Sequence, residues 1–251
     1  MERNFEINEK GHNIRCKIYY NKLPDIKKVV IFCHGFAGHK DNSAAAKFAE
    51  RVLSKYKGIA IIVFNWPCHG NDVKKKLMLS DCETYLELVI DYVKKQYQTD
   101  KIYAYATSFG GYVVLKYIAA YGNPFVKIAL RCPAVAMYDV LANKVMNQEE
   151  RALIQKGKNV SVGFDRKIEV NPQFLSDLQN ADIRKNSYLE YADDILLIHG
   201  TKDEMVPYEI VKEFSEDQVI EMITVENADH RFQNQACMEL ATKAVLNFFE
   251  F

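Results

Sequence analysis

The chain has 251 residues, 49% of them hydrophobic and 26% charged, enough for one large buried core. Lysine plus arginine and aspartate plus glutamate number 33 each, so the formal net charge is zero and the basic excess usual in nucleic-acid binders is missing. The opening Met1-Glu2-Arg3-Asn4-Phe5-Glu6 has no apolar stretch, no run approaches the ~18 residues of a membrane span, and neither a signal peptide nor a membrane span is expected.

The elements follow in chain order. Phe5 to Asn8 and Ile14 to Tyr20 read as an opening hairpin turning at Lys10-Gly11. Lys28 to Cys33 is a β-branched run suited to a buried parallel strand, and it ends at the glycine-rich corner His34-Gly35-Phe36-Ala37-Gly38. Asn42-Ser43 opens a helix running to Tyr56, with Ala45, Phe48, Ala49 and Val52 on one face. Ile59 to Phe64 is another strand, followed by the breaker-rich loop Asn65 to Asp72. Ser80 to Tyr97 reads as a second helix, with Ser80 and Glu83 as its capping box.

Ile102 to Thr107 then reads as a short strand, with a very tight turn at Ser108 and a helix to Tyr121. Small residues flank the serine, Ala106 two before and Gly110 two after, as a strained strand-to-helix turn requires. Phe125 to Leu130 is a further strand. From Cys132 to about Tyr191 the alternation fails, and the stretch is too long for an ordinary connection. It reads as a small cap, residues 133–191, inserted in a single domain spanning 1–251. Ile195 to His199 resumes the strands. A short helix at Pro207 to Phe214, a strand at Val219 to Val225 and a last helix at Gln235 to Phe249 follow. The pattern predicts an α/β fold with a mostly parallel sheet of about eight strands covered by helices on both faces.

In such a sheet, functional groups collect in loops after the strands. Here those loops hold one serine on a tight turn (Ser108), one carboxylate after a late strand (Asp203) and one histidine after the last strand (His230). They supply a nucleophile, an orienting acid and a general base. Asp229 adjoins His230 and points elsewhere, and Asp194 precedes its strand, so Asp203 is favoured. His34 and His69 are read as shaping their corners, Cys68 as a free loop thiol and Cys33 as core.

These segments resemble the α/β-hydrolase fold of serine hydrolases from roughly Val29 to the C-terminus. Ala-Thr-Ser108-Phe-Gly-Gly is similar to the nucleophile elbow, with alanine at Ala106 where glycine is more common. Cys-His-Gly35-Phe36-Ala-Gly is similar to the oxyanion loop, and Asn65 to Asp72 to the His-Gly-x-Ser loop that braces it. His199-Gly200-Thr-Lys-Asp203-Glu-Met-Val206-Pro207 resembles the acid segment, and Asn-Ala-Asp-His230-Arg-Phe the histidine segment. The resemblance implies a Ser108–Asp203–His230 triad and an oxyanion hole from the backbone N–H groups of Phe36 and Phe109.

Within the fold, the oxyanion loop and short cap look most like bacterial cinnamoyl and feruloyl esterases, which share their pattern with monoacylglycerol lipases and small carboxylesterases. The expectation is a carboxylic ester hydrolase forming an acyl-enzyme, with an apolar or hydroxycinnamate-like acyl group. Gly35, Met137, Tyr138, Asp139 and Phe164 are the expected substrate-binding residues, with Asp139 at the place of a polar cap residue. Several of the cap residues could equally pack the cap onto the sheet. A peptidase-like or thioester-cleaving member, and a hydrolase-fold protein that binds without turnover, are the alternatives. No metal or organic cofactor is expected; the partner is a small-molecule ester, not nucleic acid, and a homodimer is left open. Six cysteines without CxxC pairs point to reduced thiols in the cytoplasm.

Overall fold

A computed structural model describes all residues, Met1–Phe251. An eight-stranded sheet runs in the order β1-β2-β4-β3-β5-β6-β9-β10. Its first two strands, β1 (Glu2–Glu9) and β2 (His12–Tyr20), form an antiparallel hairpin, and β2 also lies antiparallel to β4 (Ile59–Phe64). From β4 onward every pairing is parallel, through β3 (Lys28–Cys33), β5 (Ile102–Thr107), β6 (Lys127–Arg131), β9 (Ile195–Gly200) and β10 (Glu221–Val225). This is the α/β-hydrolase architecture expected from the sequence.

The central strands are apolar along their whole length because both faces are covered. Ile31, Ile62 and Ala104 point to one side, into a core shared with α2 (Leu79–Tyr97), α3 (Phe109–Tyr121) and α7 (Tyr208–Asp217). Val30, Ile61 and Tyr103 point to the other, against α1 (Ser43–Lys55) and α8 (Gln235–Phe249). Asn42 caps α1 as expected, its side chain accepting the N–H of Ala45 at 2.8 Å. The expected capping box at Ser80 is absent. The buried Leu79 begins α2 one residue earlier, and the Glu83 carboxylate is taken by Lys116 Nζ at 2.8 Å. A capping box is found at α5, between Asn147 and Glu150.

The chain between β6 and β9 holds α4 (Met137–Asp139), which widens into a π-helical turn at Val140–Val145. It continues through α5 (Gln148–Gln155), the antiparallel pair β7 (Val160–Val162) and β8 (Ile168–Val170), and α6 (Pro172–Asn180). Leu141, Val162, Val170 and Phe174 join the same buried cluster as α2 and α3, so this segment has no separate core. Polar ties help to fasten it: Asn171 donates to the Leu77 carbonyl at 2.7 Å, and the Tyr112 hydroxyl to the Ala181 carbonyl at 2.9 Å. No helix is long and apolar enough to cross a membrane.

Candidate active site

Ser108 stands between β5 and α3 with φ 51° and ψ −118°, a conformation that a non-glycine residue adopts only under constraint. The constraint is visible in its hydrogen bonds. Its N–H donates to the Arg131 carbonyl at 3.1 Å, and its own carbonyl accepts from Tyr112 and Ala134. The turn also needs room where α3 crosses β3. A Cβ on Gly110 would lie 2.3 Å from the Cys33 carbonyl oxygen, so only glycine fits. Ala106, by contrast, is fully buried without displacing the turn, so its methyl group is accommodated. Gly110→Ala is therefore expected to cost about 1–3 kcal/mol through overpacking, seen as a Tm several degrees lower by thermal unfolding. An unchanged Tm would mean that α3 does not press on β3 at this point.

The three loops after β5, β9 and β10 meet at this serine. His230 Nε2 lies 3.0 Å from Ser108 Oγ, and His230 Nδ1 lies 2.7 Å from Asp203 Oδ2. The other carboxylate oxygen, Oδ1, accepts the N–H groups of Met205 at 2.9 Å and Val206 at 2.8 Å. Burial pushes the Asp203 carboxyl up, but the His230 bond and charge and the Val206 N–H outweigh it, and the group stays below the ordinary carboxylate range. A buried anion held on one oxygen by two amides and on the other by an imidazole can fix a histidine's tautomer. That leaves Nε2 free to accept the serine proton. The competing acids are engaged elsewhere: Asp229 accepts the Gln233 N–H at 3.0 Å, and Asp194 pairs with Lys127 at 3.1 Å.

The loop after β3 lies against the serine. A Cβ on Gly35 would sit 3.2 Å from Ser108 Cβ and 3.8 Å from its Oγ. The N–H of the next residue, Phe36, donates to no backbone carbonyl in this loop. Phe109 is the first residue of α3, where an N–H has no acceptor within the helix. The Phe36 and Phe109 rings meet edge to face at 5.9 Å. Behind them, His34 and His69 are buried with ring centroids 5.6 Å apart. Each Nδ1 donates to a backbone carbonyl, of Gly35 and Pro67 respectively, at 2.8 Å. Burial and their mutual proximity push His34 down to about 3, and burial pushes His69 down to about 4, so both rings are neutral. They shape the corner, as the sequence suggested.

The expected substrate-binding residues are more dispersed. Met137 is buried, Tyr138 is half-buried against the main core, and Asp139 is exposed with its carboxylate 3.9 Å from Arg184. Phe164 is exposed in the β7–β8 turn. The sequence did not foretell that turn's position. Gly163 has φ +126° and lies against Ala37 of the loop after β3, while Asp165 pairs with Arg231, next to His230, at 3.3 Å. The turn thus spans from one wall of the site to the other. A 680 Å³ groove at the free edge of β10, lined by Tyr208, Lys212, Met222 and Phe248 among others, contains none of the expected site residues.

One set of side chains comes within metal-binding reach. Cys132 Sγ and ligand atoms of Asp203 and His230 all lie within 4.8 Å of one another. Burial and the Asp203 charge push the Cys132 thiol well up, so it is protonated, and His230 Nδ1 is already bonded to Asp203. The donor set suits a hydrogen-bonded relay better than a metal centre.

The model of a protein family described as Hydrolase_4, serine aminopeptidase, S33, matches residues 24–188. Est1E from Butyrivibrio proteoclasticus, solved with ferulic acid bound, is 21% identical with a TM-score of 0.80 over 98% of both chains. Alpha/beta hydrolase domain-containing protein 10 from mouse is 15% identical, with a TM-score of 0.70 over 99% of this chain and 98% of the other. A monoacylglycerol lipase from Paleococcus ferrophilus is 16% identical, with a TM-score of 0.66 over 94% of this chain and 98% of its own. A comparison with curated proteins found no match.

Proposed function

The chain belongs to the Hydrolase_4 (serine aminopeptidase, S33) family of hydrolases, and on that premise we propose that it cleaves carboxylic esters through an acyl-enzyme on Ser108. One observation carries the reading: Ser108 Oγ, on a strained turn, lies 3.0 Å from an imidazole whose other nitrogen is 2.7 Å from a buried carboxylate. His230 takes the serine proton as Oγ attacks the acyl carbon, and Asp203 stabilises the imidazolium that forms. The N–H groups of Phe36 and Phe109 hold the developing oxyanion. As main-chain donors they need no reorganisation as charge appears. Collapse expels the alcohol, which receives its proton from His230. Water then attacks the acyl-enzyme with His230 as base, and the carboxylic acid leaves.

The proposed acyl group is apolar or hydroxycinnamate-like, and residues 133–191 are the cap that selects it. Support comes from the ferulic acid bound to Est1E, which shares this fold, and from Met137, Tyr138 and Phe164 on the segment whose β7–β8 turn lies against Ala37 and pairs with Arg231. Gly35 would border the acyl carbon and Asp139 would supply a polar group. We also propose a cytoplasmic location, because all six cysteines are unpaired. The family's description as an aminopeptidase favours amide cleavage as a second reading. A panel of methyl hydroxycinnamates, acylglycerols, acyl thioesters and aminoacyl amides separates them. Methyl ferulate is expected to exceed aminoacyl p-nitroanilides in kcat/KM by about 10-fold or more. The reverse order would establish the peptidase reading.

A further inference from the structure

His199, the last residue but one of β9, is fully buried, and the hydrolytic steps above leave it without a role. Its Nε2 lies 3.0 Å from the Val206 carbonyl oxygen and 3.3 Å from Asp203 Oδ2. A carbonyl and a carboxylate only accept, so this nitrogen carries the hydrogen. Nδ1 is then bare, and it has no polar partner. Burial pushes the ring's basicity down against the opposing pull of Asp203, which keeps it neutral. The oxygen it faces is the one that accepts His230 Nδ1–H.

The surroundings of that oxygen are few. Asp203 and Val206 approach His199 from the loop after β9, and the Tyr208 ring at the start of α7 lies 6.2 Å from its ring. Cys132, after β6, and His230, after β10, also bring titratable groups within 4.8 Å of the carboxylate. The Glu204 carboxylate accepts the His230 main-chain N–H at 3.4 Å, and Arg231 is engaged with Asp165.

We propose that His199 is a positioning residue of the hydrolytic site, a neutral imidazole whose Nε2–H is shared between the Val206 carbonyl and the Asp203 oxygen that holds His230. It rests on the reading of Ser108, Asp203 and His230 as the catalytic relay. The bond to Val206 closes the turn that carries Asp203, and the longer arm removes electron density from Oδ2. Without that arm the carboxylate would bind the imidazolium form of His230 more strongly. The protonated, inactive relay would then persist to higher pH.

The test compares His199→Phe, which keeps a ring but no donor, with His199→Gln, whose amide nitrogen can occupy the Nε2 position. The readout is the acid limb of kcat/KM for a short p-nitrophenyl ester. The Phe variant is expected to move its midpoint upward by about 0.5–1 pH unit, and the Gln variant to return it to the wild-type position. A residue that only fastens the loop would leave the midpoint alone. Coincident limbs for wild type and His199→Phe would therefore overturn the proposal, as would a Gln variant shifted as far as Phe. Ser108→Ala is run alongside: full activity in that variant would fail the relay itself, and the proposal with it. Should His199→Phe not fold, nitrogen-15 NMR of histidine-labelled wild type decides the matter. His199 is expected as the neutral Nε2–H tautomer throughout the acid limb, and an Nδ1–H tautomer, or protonation in step with the limb, would overturn the assignment.

Discussion

Ser108→Ala is expected to abolish covalent labelling by a fluorophosphonate and to lower kcat/KM for p-nitrophenyl acetate by at least about 10³-fold. The loss is large because the relay acts as a unit. Without Oγ, the imidazole 3.0 Å away has no proton to take, and the proposed oxyanion donors alone would sustain only a residual rate. Asp203→Asn probes the same relay from its other end. An amide could present N–H to His230 Nδ1 where the carboxylate now accepts at 2.7 Å, forcing the hydrogen onto Nε2. That tautomer cannot accept the serine proton, and a loss of about 10⁴ in kcat is expected, the scale seen for such a change in a serine protease. Both variants should keep the wild-type circular dichroism spectrum. Persistent labelling of Ser108→Ala would move the nucleophile elsewhere.

The meeting of Ser108, Asp203 and His230 was legible in the sequence because each follows a strongly patterned strand. Ile102 to Thr107, Ile195 to His199 and the run ending at Val225 are short apolar stretches that only a covered sheet can absorb, and the loops after them are short. The contact of His199 with Asp203 was not legible, although His199 lay within a recognised segment. It depends on the loop folding back so that Val206 and Asp203 face the same nitrogen. The 133–191 stretch was opaque for a related reason. Its strands β7 and β8 have three residues each, too few for a period to register, and Val162 and Val170 are buried in the core cluster that α2 and α3 also line. The misplaced start of α2 shows tertiary packing prevailing over a local signal: a buried leucine and a lysine on α3 outweighed a Ser-x-x-Glu box.

Acid is expected to destabilise this fold well before its carboxylates titrate. Burial holds His34 at about 3 and His69 at about 4, against about 6.5 for an exposed histidine. A group whose folded value is depressed binds fewer protons in the folded state than in the unfolded chain between those two values. Stability is therefore intact above about pH 6.5 and is lost as pH falls below it. Each histidine contributes about 1.4 kcal/mol per pH unit across that window, so the pair gives a slope of roughly 2.7 kcal/mol per unit between pH 6 and 4. His199 acts in the same direction. The depressed Asp203 carboxyl adds its loss only below about pH 4, whereas Asp72, raised by burial, offsets part of the slope. Urea unfolding at a series of pH values measures this directly. His69→Asn can keep a donor for the Pro67 carbonyl while removing the titrating ring, and it should flatten the slope by about one proton. A wild-type slope near zero between pH 6 and 5 would mean that these rings are solvated or already charged in the fold. An acid limb of catalysis measured in this window has to be told apart from this loss of stability. Circular dichroism at each pH separates the two: a falling rate with the neutral-pH spectrum reports a protonated relay, and a rate that falls with the spectrum reports an unfolded corner.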